Sequence, residues 1–151
     1  MRRLLLLLVP ALLSLAVSCS RVSVNPPEGF AELKGGRSYR AMSPEGMRYR
    51  VRSIKNEPRK ELSFWGDALE NHLIEEGYRS GGEAQSFESG DRVGMYYEWI
   101  LPVGNQSYFY LTALVVTEKT ITLAEAAAPH GVYIQYRQTL LDSLSTIRPR
   151  R

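Results

Sequence analysis

The chain has 151 residues, with 19 lysine and arginine side chains against 16 aspartate and glutamate side chains and a formal net charge of +3. Five of the basic residues lie near the chain ends, so the body of the chain has 14 basic and 16 acidic side chains and is close to neutral. We therefore expect no nucleic-acid partner, because such binding requires a concentrated basic face. The single cysteine excludes an intramolecular disulfide, while nine tyrosines, four phenylalanines and two tryptophans favour a packed globule over a disordered tether.

The first nineteen residues carry the pattern of an export signal. Two arginines precede an apolar run at 4–17, and Ser18 and Cys19 follow it. A charged start, a short apolar core and small residues before a cleavage point predict a secretory signal peptide at 1–18, because the run is too short for a comfortable membrane span. Ordinary cleavage nearby is the alternative, and it would leave Cys19 as a free thiol.

The stretch Leu15-Ala16-Val17-Ser18-Cys19 resembles the lipobox of bacterial lipoproteins. The resemblance implies that Cys19 is acylated, with palmitate as a typical chain, and becomes the new N-terminus. It also implies a membrane anchor in the bacterial cell envelope, with the protein facing the periplasm. The residue after Cys19 is Ser20 and not an aspartate. In hosts with two membranes, this resembles lipoproteins that are sent to the outer membrane.

Beyond the signal, we predict a spacer at 19–29, one domain at 30–148 and a tail at 149–151. The spacer contains adjacent prolines and no periodic apolar pattern. Within the domain, segments of strand type are bounded by glycine, proline or polar turns. They lie at 30–33, 38–42, 47–54, 78–89, 91–101, 108–117 and 121–126.

Two amphipathic helices are predicted from apolar side chains at three- and four-residue steps. The first helix is expected to begin near Pro58 and to stop at Gly77, with a stripe formed by Leu62, Trp65, Leu69 and Leu73. The second ends before Pro149 and carries Tyr133, Tyr136, Leu140, Leu144 and Ile147. Consecutive strands with short turns imply an antiparallel meander, and two such helices need a sheet to pack on, so the predicted class is α+β.

The end of the chain joins a small-residue strand to an amphipathic helix. The strand is Ile121-Thr122-Leu123-Ala124-Glu125-Ala126-Ala127-Ala128-Pro129, and the helix ends in Leu140-Leu141-Asp142-Ser143-Leu144-Ser145-Thr146-Ile147. This block resembles the PsbP/DcrB superfamily, whose members include extrinsic photosystem subunits, a nuclear Ran-binding factor and bacterial envelope lipoproteins. The resemblance implies an α-β-α sandwich and a non-catalytic role in binding or assembly, with an unknown envelope protein as partner and no cofactor.

The clearest charge pattern lies in the third predicted strand. Met47, Tyr49 and Val51 alternate with Arg48, Arg50 and Arg52, which places the three arginines in one row on one sheet face. On a membrane-tethered domain this row could contact anionic lipid headgroups or an acidic partner. The alternative is a solvated, charged strand that prevents aggregation.

Candidates for catalysis or metal binding are few. His72 lies at the edge of the first helical stripe with Glu75 and Glu76 one turn further on, but a metal site needs more ligands than this, so we predict none. His130 is predicted to begin the last helix. Glu125, on an inner strand, needs an arginine or a tyrosine hydroxyl as partner. The alternative functions are therefore a small envelope hydrolase or lyase using His72 or Glu125, or a carrier of a small apolar ligand between helix and sheet.

Aromatic side chains also cluster on both sides of the turn at 102–106. They are Tyr96, Tyr97, Trp99, Tyr108, Phe109 and Tyr110. They form either a binding surface around the hairpin or cross-strand pairs that stabilise the sheet, and the second interpretation is the commoner one.

Overall fold

The computed structural model describes residues 22–149, so the predicted signal peptide at 1–18 and the predicted acylation at Cys19 lie outside the described residues. The described chain folds into eight strands and two helices. The strands are β1 (Ala31–Glu32), β2 (Tyr39–Met42), β3 (Arg48–Lys55), β4 (Arg79–Ser80), β5 (Gln85–Ser89), β6 (Arg92–Val103), β7 (Gln106–Val116) and β8 (Thr120–Pro129). The helices are α1 (Leu62–Glu75) and α2 (His130–Ser145).

All eight strands belong to one antiparallel sheet in the order β1-β2-β3-β8-β7-β6-β4, with β5 also paired to β6. This confirms the predicted α+β class with an antiparallel sheet and two helices. The sheet contains two meanders, β1-β2-β3 and β5-β6-β7-β8, and β4 also pairs with β6. The two meanders are joined where β3 pairs with β8, from Arg48 opposite Ala127 to Lys55 opposite Thr120. Because of this long-range pairing, the arginines of β3 lie beside Glu125 of β8.

The helices cover opposite faces of the sheet, which is the α-β-α layering that the superfamily resemblance implied. Tyr133, Leu140 and Leu144 of α2 are buried against one face. There the alternate alanines of β8 let the helix approach closely. On the other face, α1 packs over β6, β7 and the first half of β8, with Leu73 and Trp99 buried between the layers.

Two predicted boundaries were wrong. The segment 78–89 is not one strand, because residues 81–84 separate β4 from β5. Gly81 lies so close to β6 that a Cβ there would be 2.9 Å from the carbonyl oxygen of Glu98. Helix α1 begins at Leu62 rather than near Pro58. The chain around Pro58 forms a loop instead, since the side chain of Asn56 bonds to both the N–H and the C=O of Lys60.

The segment predicted as a spacer packs onto the domain from Val22 onwards. We call residues 22–29 the N-terminal segment. Val22 is buried, Ser143 Oγ donates to the Asn25 carbonyl at 2.6 Å, and the Asn25 N–H donates to Thr146 Oγ1 at 2.9 Å. Because α2 satisfies these backbone groups, the segment lies along the helix and does not act as a free linker. Across residues 22–149, no helix is long and apolar enough to cross a membrane.

Candidate binding groove

An open groove lies beside α1. It occupies the part of the sheet that α1 leaves uncovered, on the face against which this helix packs. Its volume is about 710 Å³. We call it the arginine groove and define it by the lining residues that carry its chemistry, which are Arg40, Arg48, Arg50, Tyr110, Glu125 and Ala127.

Strand register brings these side chains together from four strands. Arg40 on β2 lies opposite Arg50 on β3, and Arg50 lies opposite Glu125 on β8. One step further along, Arg48 lies opposite Ala127, which lies opposite Tyr110 on β7. Since cross-strand neighbours share a face, the register sets the arginines on one side of the small Ala127 side chain and the tyrosine on the other.

Glu125 is the centre of a hydrogen-bonded cluster. Its Oε2 accepts from Arg50 Nε at 3.1 Å and from Arg50 Nη2 at 2.9 Å, and Arg52 Nε lies 3.4 Å from the same oxygen. The other oxygen, Oε1, accepts from the Tyr110 hydroxyl at 2.8 Å. Burial, together with the neighbouring Glu125 carboxylate, raises the pKa of Tyr110, so this hydroxyl stays protonated and remains a donor. The sequence predicted either an arginine or a tyrosine hydroxyl as the partner of Glu125, and the structure contains both.

The charges in the groove do not balance. Three arginines line it against one glutamate, and Glu125 is already bound by Arg50 and Arg52. Arg40 donates to the Gly35 carbonyl at 3.2 Å, whereas Arg48 has no ion pair within residues 22–149. Like charges on directly opposed strand positions are destabilising, and among the arginines that line the groove Glu125 offsets the charge of Arg50 alone. Arg40 and Arg48 therefore favour a further anion in the groove.

The predicted arginine row is on one face, but its members differ. Arg50 and Arg52 hold Glu125, and Arg48 projects into the groove without a carboxylate partner among the described residues. Arg40 was not predicted as a site residue, and Tyr110 was predicted only as a member of the aromatic cluster. The opposed position of Arg40 depends on how β2 pairs with β3, and that of Tyr110 on the β7–β8 register, so neither carries a local signal.

The histidines lie elsewhere. His72 is exposed on α1, and His130 begins α2 as predicted, with its ring 4.8 Å from that of Phe109. In residues 22–149 no group of three or more histidine, cysteine, aspartate or glutamate side chains could hold a metal ion.

The predicted aromatic cluster divides between the two faces of the sheet. Trp99 lies opposite Tyr110, and Tyr97 stacks on Trp99 under α1. Phe109 packs against Tyr133 of α2 on the other side. These rings therefore pair across strands and fill the two cores, and of the clustered aromatics only Tyr110 lines the groove.

A second charged cluster joins α2 to the sheet. Glu98 of β6 accepts hydrogen bonds from the Tyr133 hydroxyl and from Arg137, whose Nε and Nη2 atoms lie 2.7 and 2.8 Å from the two carboxylate oxygens. Tyr133 and Arg137 are four residues apart on α2, a spacing that places them on one helix face. This four-residue spacing is the one feature of the sequence that could have indicated the cluster.

Comparisons with known proteins find solved structures of similar fold at low sequence identity. No protein-family model matches the chain, and no curated protein is significantly similar to it. A Bacteroides thetaiotaomicron structure is 17% identical with a TM-score of 0.53, covering 86% of this chain and 45% of its own, so the present chain spans less than half of that protein.

Two solved structures match over most of both chains. PA94 of Pseudomonas aeruginosa, a protein of unknown function and candidate regulator, is 7% identical with a TM-score of 0.56, covering 86% of this chain and 85% of its own. LpqN of Mycobacterium tuberculosis, a protein involved in cell envelope biogenesis, is 13% identical with a TM-score of 0.56, covering 85% and 83% respectively. At these identities the likeness shows a shared fold alone.

Proposed function

We infer that this protein is a lipid-anchored protein of the bacterial cell envelope that binds an acidic group of an envelope partner in the arginine groove and catalyses no reaction. The observation that carries the proposal is the excess of arginine over carboxylate in a groove that α1 leaves open. The lipobox-like sequence at Cys19 and the shared fold with LpqN, an envelope biogenesis protein, support the location.

The chemistry of the groove suits a carboxylate or phosphate on a partner molecule. Guanidinium groups bind such planar or tetrahedral anions through two parallel N–H donors. Arg48 is free to do so, and Arg50 is held in place by Glu125. Leu33 and Met42 add an apolar wall, so an acidic side chain flanked by apolar residues fits the lining best.

An enzyme that uses Glu125 is the second candidate, because this carboxylate does open into a groove with the Tyr110 hydroxyl at 2.8 Å. Both of its oxygens already accept hydrogen bonds, however, and a general base must have an oxygen free to take a proton. This arrangement favours a positioning role in which Glu125 orients Arg50 and Arg52. A carrier role gains no such support, since the helix–sheet interfaces are filled by buried side chains.

The test is photo-crosslinking in the native envelope from benzoylphenylalanine placed at Met42, which lines the groove. We expect a discrete adduct that is reduced about tenfold or more by Arg48→Glu, because a charge-assisted contact is lost and replaced by repulsion. Arg79→Glu is the matched control, since Arg79 is exposed on β4 at the far edge of the sheet.

The same probe at Gln135, an exposed position on α2, reports contacts on the opposite face. The groove proposal is wrong if the Met42 adduct persists in Arg48→Glu, or if Arg79→Glu removes it equally. Turnover of a small substrate that Glu125→Gln abolishes, with the adduct intact, would instead support the enzyme.

A further inference from the structure

The N-terminal segment reaches one end of the domain and is held there. Val22 is buried, Ser23 forms a β-bridge with Arg148 just past the end of α2, and the Arg148 N–H donates to the Ser23 carbonyl at 2.8 Å. The Arg148 side chain in turn lies over Gly90 in the β5–β6 turn. The first described residues are therefore fixed beside the C-terminal end of α2.

Four loops meet at this end, which we call the anchor pole and define as residues 55–61, 89–92, 117–119 and 146–149. Asn56 Nδ2 donates to the Thr117 carbonyl at 2.8 Å, and Ser89 Oγ donates to the Ile147 carbonyl at 2.7 Å. A cavity of about 430 Å³ is lined jointly by Asn56, Arg92 and Thr117. These contacts show that the four loops form one continuous surface.

We propose that the anchor pole lies against the anionic headgroups of the membrane that holds the lipid on Cys19, an inference that rests on the proposed lipid anchor. Only two residues separate Cys19 from the buried Val22. A fully extended chain covers at most about 11 Å over that interval. The docked segment therefore keeps the pole at the bilayer surface, where a free spacer would have allowed any orientation.

The charge distribution along the domain suits this orientation. The anchor pole carries six basic side chains, Lys55, Arg59, Lys60, Arg92, Lys119 and Arg148, against four acidic ones, Glu57, Glu61, Asp91 and Glu118. The loops at the opposite end, residues 43–47, 75–78 and 103–106, carry Glu45, Glu75 and Glu76 and no basic side chain. An anionic membrane attracts the first surface and repels the second, and Arg21, Arg150 and Arg151 adjoin the anchor pole in sequence.

This orientation also sets where the arginine groove points. Arg48 begins β3 and Lys55 ends it at the anchor pole, so Arg48 lies about 23 Å from that pole along the strand. Such a distance exceeds the Debye length of about 8 Å at physiological ionic strength. The groove is thus presented away from the anchoring bilayer, and its ligand belongs to a partner and not to a headgroup of that membrane.

The test uses the full-length acylated protein, reconstituted in vesicles of phosphatidylethanolamine and phosphatidylglycerol that carry a nitroxide on the headgroup. A fluorophore is attached to one introduced cysteine, either Lys119→Cys at the anchor pole or Asn105→Cys in the β6–β7 turn, since acylated Cys19 does not react. Strand β6 runs from the anchor pole to the β6–β7 turn, and its length separates these two ends of the domain by about 36 Å. We expect quenching at position 119 to be several-fold stronger than at position 105, and the contrast to shrink in purely zwitterionic vesicles.

Val22→Ser tests the role of the docked segment and should reduce the contrast, whereas Val103→Ser, the same change at a half-exposed valine, should preserve it. Thermal melts exclude unfolding of either variant. Equal quenching at both positions in acylated, vesicle-bound protein overturns the orientation alone and leaves the anchor standing. If mass spectrometry finds no acyl chain on Cys19, the proposed anchor fails, and the orientation fails with it.

Discussion

Single side chains in this domain join elements that are distant in sequence. Glu125 binds Arg50 and Arg52 of β3 and Tyr110 of β7, so one carboxylate links three strands and shapes the groove. Asn56 plays the same part at the other end. Its Oδ1 accepts from Trp65 Nε1 at 2.8 Å, and its Nδ2 donates to Thr117, which ties the start of α1 to the β7–β8 turn.

Asn56→Ala should lower the free energy of unfolding by about 2–3 kcal/mol, because it leaves the buried Thr117 carbonyl, the Lys60 backbone and the Trp65 N–H without their partner. Urea denaturation followed by tryptophan fluorescence measures this loss. Asn71→Ala on the exposed side of α1 is the control and should change stability by no more than about 0.5 kcal/mol. A similar effect at both positions would show that the Asn56 contacts are unimportant.

Among the elements, β8 does the most to organise the molecule. It pairs with β3 on one side and β7 on the other, and successive residues face different environments. Ala126 is buried against the layer of α2, whereas its neighbour Ala127 is exposed on the floor of the arginine groove. The strand was predicted from its alternation, but of its two neighbours only β7 is adjacent in the chain, whereas β3 lies far earlier in the sequence.

Ala126→Leu should destabilise the fold by about 1–3 kcal/mol, since the added methyl groups overpack the β8–α2 interface. Ala127→Leu adds the same atoms to the groove and should change stability by about 0.5 kcal/mol or less, while filling the space that a ligand needs. Chemical denaturation measures the first effect and the Met42 crosslink the second. Equal destabilisation by the two substitutions would contradict the assignment of the two faces.

At the scale of the whole molecule, an ionic cluster couples the helical layer to the sheet. Burial of Glu98 works against its charge, but hydrogen bonds from Arg137 and Tyr133 outweigh that penalty and hold the pKa of the carboxyl below its ordinary value. A carboxyl whose pKa is lower in the folded state stabilises the fold above its unfolded pKa of about 4.3. That stabilisation is lost as the pH falls through the folded value.

Glu98→Gln should therefore lower the free energy of unfolding at pH 7 by about 1–2 kcal/mol, and the difference from the unmodified chain should narrow as the pH drops below about 4. Denaturant titrations at a series of pH values provide the measurement. Glu88→Gln, at an exposed carboxylate of β5, should show no such pH-dependent gap. A gap that stays constant down to pH 3 would mean that the ion pair does not contribute as described.

The helices, most of the strands, the α+β class and the common face of Arg48, Arg50 and Arg52 could be predicted from the sequence, because they depend on periodicity among near neighbours. The folded domain was needed to see that β3 pairs with β8, which brings Glu125 onto Arg50, and that β2 adds Arg40 to the same face. The fold also shows that α1 leaves the groove open and that the N-terminal segment docks on α2. These outcomes arise from contacts between residues far apart in the chain, whose pairing is selected by the burial of both sheet faces together and leaves no signal in any local pattern.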